Sequence, residues 1–507
     1  MSRQELETTG RTAAEVVVVG SGAGGSAAAR ELARAGLDVL LLEAGPVHDP
    51  KTFTQREEEM IPRLFQDGGG RRTVDRTMAV LQGLGVGGST VHNLNLCKRV
   101  PPELLDRWAD QWGLESLPSA LEEHYAVVER DLGVVRIPDG QVNRLNSLFE
   151  SGCEALGLEH ARLHHNRSGC VGSGFCELGC AYDAKLNASR VFIPQAREAG
   201  ARLVADARVT RVRHRGRRVT GVEGWLGDPA AGAGPVRFRV EARAVVLAAS
   251  ATTSPALVLA SGLGDRHGRV GRGLHLHPGT SIAAVFDRPV EAWRGVPQSV
   301  ECTEFLHPVD PDRRVWIVPA FAHPAAAAGM FPGIGPELVE MLQQYRYLAA
   351  ASPMLHDHGS GRIDATRSGR PRIHYQLDPA DARALAHGMA ETARIWLAAG
   401  ARRVVVPGRQ PLLLSSLAEA EALREYPVMP LDPPLLSVHP MGGLAMASDS
   451  RRGPCDVHGR YRDAKGLYVA DTSLFPSSTG VPPQVTTYAL GRHVGRSVTQ
   501  ALGGTPV

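Results

Sequence analysis

Lysine is nearly missing from this 507-residue chain. Only Lys51, Lys98, Lys185 and Lys465 are present, so almost all of its 56 basic residues are arginine. With abundant alanine and glycine, this bias matches GC-rich coding and carries little functional information. Net charge is slight as well: at +3 there is no basic excess for nucleic acid or an acidic membrane surface, and neither partner is expected. Long hydrophobic runs are lacking, so no membrane span is expected. Met1 to Gly10 shows no basic segment followed by an apolar one, and no secretory signal is expected there. The seven cysteines, an odd set without such a signal, fit a reducing, cytoplasmic setting.

What the chain has is glycine in blocks. The first block follows Val16-Val17-Val18-Val19, a β-branched run that suits a strand buried on both faces. Gly20-Ser21-Gly22-Ala23-Gly24-Gly25 then turns the chain, a helix-forming run reaches Ala35, and a second apolar strand closes on Glu43. Gly20 tightens the turn, Gly22 lets backbone amides approach a pyrophosphate, and Gly25 lets helix and strand pack closely. The helix N-terminus faces the phosphate charge, and Glu43 stands where a carboxylate accepts from a ribose diol. The unit is read as dinucleotide-binding, with Glu43-Ala44-Gly45 closer to FAD-binding than to NAD-binding proteins.

The length predicts two domains. Residues 46–80 read as a surface excursion, and Gly83 to Asn93 as a second glycine-rich loop. Leu104 to Leu132 has helical spacing with Trp108 and Trp112 on one face, and residues 141–159 form another amphipathic helix. Residues 202–250 read as a β-meander returning to the nucleotide-binding sheet, and Gly271 to Gly279 as a turn-rich crossing. Residues 280–430 change character, with many prolines and a helix near 381–399. Leu467 to Asp471 reads as a buried strand ending in an acid. The expected division is a discontinuous dinucleotide-binding domain, 1–279 and 435–507, with excursions at 46–80 and 100–185. A substrate domain at 280–434 is inserted in it.

Four ordered stretches carry a family resemblance. They are the Gly20–Gly25 turn, Gly87-Gly88-Ser89-Thr90-Val91-His92-Asn93, His439-Pro440-Met441-Gly442-Gly443, and Tyr468 to Pro476 with Gly480-Val481-Pro482-Pro483-Gln484. Together they make the chain resemble the glucose–methanol–choline (GMC) oxidoreductases. The resemblance implies an α/β fold: a Rossmann-like FAD-binding domain with an inserted α+β substrate domain. It implies oxidation of an alcohol hydroxyl to a carbonyl, with hydride passing to flavin N5 and His439 taking the hydroxyl proton. It extends the cofactor-binding set beyond Gly20, Gly22, Gly25 and Glu43 to Ala23, Ala44, Gly88, Ser89, His92, Asn93, Val209, Asp471, Thr472, Pro483 and Gln484. The substrate is a small-molecule alcohol, and the electron acceptor is oxygen, a quinone or another carrier.

Three features qualify this expectation. Pro482 stands where the family commonly has a histidine or asparagine, and proline offers neither a side-chain donor nor an N–H. Either His439 works alone or another group reaches in, with His277, His374 and Tyr375 as sources. His92 falls where some relatives, choline oxidase among them, attach the flavin 8α-methyl covalently. The alternative is a packing histidine. Cys170-x5-Cys176-x3-Cys180 has the spacing of the iron–sulfur ligands of flavin-dependent glucose dehydrogenases, also GMC-like. Here a tight loop of packed thiols is the favoured reading. Two rivals remain: a lyase or decarboxylase on the same fold, and an NAD-dependent dehydrogenase, which leaves the later glycine blocks unexplained.

Overall fold

Four consecutive valines, Val16 to Val19, start the central sheet. The computed structural model describes residues 2–227, 234–307, 313–329, 334–359 and 361–506. Strand β1 (Arg11–Val19) leads into helix α1 (Ala23–Arg34) and strand β2 (Val39–Leu42), all four residues of which are buried. Each such side chain contributes roughly 1.5–3 kcal/mol on leaving water. Strands β3 (Arg202–Val204), β4 (Ala207–Arg215), β5 (Arg218–Leu226) and β6 (Val236–Leu247) give the order β3-β2-β1-β6-β5-β4. The meander β4-β5-β6 is antiparallel, whereas β1, β2 and β3 run parallel to one another. The second half of β6 pairs in parallel with both β1 and β7 (Leu467–Val469). Helix α2 (Gln484–Ala501) then lies across α1. A β-carbon on Gly491 would fall 2.3 Å from the carbonyl oxygen of Gly24, so the two backbones touch where both lack side chains.

The second unit is an antiparallel sheet. Its strands run in the order Leu412–Leu414, Arg403–Val406, Ile282–Val285, Leu348–Leu355, Val315–Pro319, Val300–Cys302 and His160–Arg162. Ile282 and Ala284 face a core filled by Trp396 of the helix Pro379–Ala398 and Phe149 of the helix Arg144–Ala155. Between the units, Arg272–His275 is flanked by Gly361–Ala365 and Met441–Gly442.

Two expected boundaries change. Residues 100–185 are divided: Leu117–Asp131 docks on α2 through a 2.9 Å bond between Tyr125 and Thr486 hydroxyls. The helix at 144–155 and the strand at 160–162 instead belong to the second sheet. Amphipathic spacing fixes the buried face of a helix but not its partner. Residues 46–80 are also more than an excursion, because Met60, Leu64 and Phe65 form a buried cluster with Val91 of the second glycine loop. Among the described residues no helix is long and apolar enough to cross a membrane.

Candidate active site

Three glycine-bearing turns converge at the carboxyl end of β1. Gly20 takes φ of +101°, and a β-carbon there would lie 2.3 Å from the Ala248 carbonyl oxygen. At Gly25 a β-carbon would fall 1.9 Å from the Gly20 carbonyl oxygen. Gly22 differs: nothing lies within 4 Å of its β-carbon position. The second loop arrives opposite, with Gly88 placed so that a β-carbon would be 3.0 Å from Gly22 Cα. Gly87 N–H donates to Ser21 Oγ at 3.0 Å.

Ser21 donates in turn to the Glu43 carboxylate, through Oγ at 2.7 Å and N–H at 3.0 Å, and Gly45 N–H donates to its other oxygen at 3.0 Å. Glu43 is therefore a buried knot joining all three turns, with lone pairs remaining for a ribose hydroxyl. Gly20, Gly22, Ala23, Ala44 and Gly88 are half-buried and Ser89 is exposed. They outline a groove floored by backbone at the N-terminus of α1, which suits a pyrophosphate. Val209 is buried on β4 close by, two residues past Ala207, whose N–H donates to the Glu43 carbonyl at 2.7 Å.

His92 ends the second loop and is 7% exposed, with its ring centroid 4.1 Å from that of Phe65 and its Nε2 without a partner among the described residues. Burial, then the nearby Lys185 ammonium, push its pKa down to about 3, so the imidazole is neutral. Lys185 is itself 1% exposed and donates to the carbonyls of Val91 (3.0 Å), Asn93 and Cys176 (3.0 Å). It ties the cysteine loop to the His92 segment. Asn93 Nδ2 donates to Gln484 Oε1 at 2.8 Å, and Gln484 Nε2 donates to the Leu96 carbonyl at 2.6 Å. These side chains hold the start of α2, behind Pro483, against the second loop. The Asp471 carboxylate accepts from Ser250 N–H (2.9 Å), Ser254 Oγ (2.5 Å) and Ser473, so it fixes the turn at Thr472. The open space over Gly22 and the orphaned nitrogen of His92 are what a bound flavin dinucleotide would fill at its phosphate and ring ends. The residues fit FAD.

Cys170, Cys176 and Cys180 are half-buried free thiols around a small cavity that Lys185, His165 and Arg167 also line. They do not converge closely enough to share a single ion. Burial pushes the Cys176 thiol up to about 11, which keeps it protonated at neutral pH. The loop packs tightly, since a β-carbon on Gly174 would lie 1.8 Å from the Trp293 carbonyl oxygen.

His439 is half-buried, and its Nδ1 lies 3.0 Å from Nδ1 of His277. Burial pushes its pKa down to about 3, so it too is neutral. The other groups expected near it are committed elsewhere: His374 lies 2.9 Å from the Asp364 carboxylate, and Tyr375 donates to Asp357 at 2.8 Å. Pro482 stands in the same loop as buried Val481, which packs against Leu96 and Met354. On the side of the second sheet facing away from its helices is a small, largely apolar cleft lined by Ala283, Phe321, Tyr345, Leu348 and Val405 among others.

Sequence reasoning missed two organising groups. Ser21 joins two glycine loops, and Lys185 is a buried cation held by carbonyls alone. One signal existed for the second: a chain with four lysines that buries one of them has a specific use for it.

A two-layered dinucleotide unit with a glycine-rich second loop, joined to an antiparallel substrate sheet, defines a two-domain flavoprotein fold. The GMC oxidoreductase family matches residues 61–279 and 357–491, and a Rossmann-like NAD(P)-binding domain matches residues 18–68. An uncharacterised GMC-type oxidoreductase of Mycobacterium tuberculosis is 36% identical, over 97% of this chain and 77% of the relative. A long-chain-alcohol oxidase of Arabidopsis thaliana is 27% identical, over 99% of this chain and 69% of its own length. Formate oxidase of Aspergillus oryzae, in a structure addressing FAD modification, shares the fold at a TM-score of 0.69 and 15% identity, covering 97% of this chain and 98% of that one. The chain belongs to the GMC oxidoreductase family and is an oxidoreductase.

Proposed function

We propose that the protein binds FAD and oxidises an alcohol hydroxyl to a carbonyl. The observation that carries this reading is a neutral, half-buried His439 whose Nδ1 lies 3.0 Å from His277 Nδ1, leaving Nε2 as the nitrogen that meets a substrate hydroxyl. A neutral imidazole takes the hydroxyl proton, and the carbinol carbon of the resulting alkoxide releases hydride more readily. FAD, when bound, would supply the two-electron acceptor for that hydride. The Gly20–Gly25 turn and the start of α1 hold the pyrophosphate, and Glu43 the adenosine ribose. The backbone near Gly88 and the start of α2 hold the ring end. An apolar alcohol is the substrate class favoured, and the long-chain-alcohol oxidase relative supports it.

The test is anaerobic. Purified protein is expected to be yellow and to bleach with ethanol, benzyl alcohol or dodecanol. A yellow protein that none of these reduces would support a lyase or decarboxylase reading instead. We assign Cys170, Cys176 and Cys180 to packing around Lys185, so iron analysis of the same sample should find none. Stoichiometric iron with a broad absorbance beyond that of flavin would reverse this assignment.

His92 is proposed to carry the flavin covalently. Its lone pair is free because the ring is neutral, and its buried Nε2 has no partner among the described residues. Acid precipitation should leave flavin on the wild-type polypeptide and release it from His92→Ala. Wild-type flavin found wholly in the supernatant would end the covalent reading. Hydride transfer should survive in the variant, since attachment tunes the potential without taking part in the step.

A further inference from the structure

The two histidines are brought together by strand register. Arg272–His275 pairs antiparallel with Met441–Gly442, setting Leu274 against Gly442 and His275 against Met441. Two residues beyond the paired segment on either side, His277 and His439 come together. Their ring centroids lie 5.0 Å apart with planes 30° to one another and the Nδ1 atoms 3.0 Å apart, so the rings meet edge to edge. At that distance one nitrogen carries the hydrogen and the other accepts it.

His277 is held with unusual care. It is fully buried and takes φ of +47°, a left-handed conformation uncommon outside glycine, in which histidine, asparagine and aspartate are the most frequent of the other residues. The N–H groups of Leu276 and His277 both donate to the Asp357 carboxylate, at 3.0 and 3.1 Å, and Tyr375 donates to the same group at 2.8 Å. A strained backbone pinned by a buried carboxylate delivers one imidazole to one atom of another.

We propose that His277 is a positioning residue whose Nδ1 accepts from the Nδ1–H of His439, holding His439 in the tautomer whose Nε2 takes the substrate proton. This rests on the reading of His439 as the base. When the hydroxyl proton reaches Nε2, the imidazolium formed keeps donating through Nδ1 to neutral His277, a charge-assisted bond stronger than the one it replaces.

The test uses the flavin-loaded protein and the anaerobic bleaching rate with an alcohol that reduces the wild type. His277→Gly tolerates the left-handed backbone and removes the ring. It should keep its flavin and reduce it about 10–100-fold more slowly, the scale seen when a metal-bound histidine loses its orienting partner. Added imidazole should restore most of the rate. Pyrrole, of the same shape but without an acceptor nitrogen, should not. His277→Asn suits the same backbone and keeps an acceptor, so it should run within a few-fold of wild type. If the glycine variant fails to fold, the asparagine variant decides alone: a flavin-loaded His277→Asn as slow as His439→Ala overturns the proposal. So does His277→Gly at the wild-type rate, or equal rescue by pyrrole. A fast His439→Ala instead removes the base reading, and the two failures are distinguishable.

Discussion

Replacing His439 by alanine is expected to slow anaerobic flavin reduction by about 10²–10⁴-fold, the range for losing a positioned general base. Flavin content should hardly change, because the residues outlining the dinucleotide groove lie on the glycine loops and at α2. The pH dependence gives the sharper readout. Burial pushes the His439 pKa down to about 3, so the base form is present above that value and is lost only as pH falls towards it. The wild-type rate should therefore be flat from neutrality into the mildly acid range and then decline. The alanine variant should lack that declining limb. Rapid-mixing measurements of flavin bleaching across pH decide the matter: equal rates in both proteins at every pH would take His439 out of the mechanism.

Gly22→Val and Gly25→Val, three residues apart, should fail in opposite ways. The β-carbon of residue 22 meets no protein atom within 4 Å, and its extended backbone (φ −65°, ψ −166°) accepts a branched side chain. The variant should fold with near-native stability yet emerge colourless, because the new side chain occupies the pyrophosphate groove. At residue 25 the β-carbon would fall 1.9 Å from the Gly20 carbonyl oxygen. That oxygen belongs to a turn fixed by Gly20 N–H donating to the Leu42 carbonyl at 2.8 Å, so it has little room to retreat. Overpacking usually costs about 1–3 kcal/mol, and a clash with fixed backbone exceeds that. Insoluble protein is expected. Absorbance in the flavin band together with thermal unfolding separates the two cases. A yellow Gly22→Val with full flavin would show that the phosphates lie elsewhere.

How much of this was legible depended on how local the cause was. The β1–α1–β2 unit could be read because valine runs, glycines and an acid lie within one short stretch, and each residue's reason is its neighbour. The meander was legible for the same reason. The allegiance of residues 144–162 was not, since their apolar spacing is equally satisfied by either core. Glu43 was expected at a ribose, but its bonds to Ser21 and Gly45 arise only when three turns meet. The stretch 271–279 looked like a turn because of its glycines. In fact it holds a four-residue strand whose partner comes from a segment around residue 441. His277 and His439 are 162 positions apart, and only that pairing makes them neighbours. Proline at 482 was readable as a position without a donor, whereas which of His277, His374 and Tyr375 lies beside His439 is told only by the folded chain.

The crossing of α1 and α2 has a bearing on how the protein is made. β7 completes the sheet beside β6, and α2 covers the helix that opens the nucleotide groove. On the ribosome, the roughly 450 residues between Arg34 and Gln484 take about 20–90 s to add at about 5–20 residues per second. Throughout that interval the face of α1 destined for α2 has no cover, and the groove lacks one wall. The groove is therefore complete only after α2 has been added and has docked, so cofactor capture waits on that late contact.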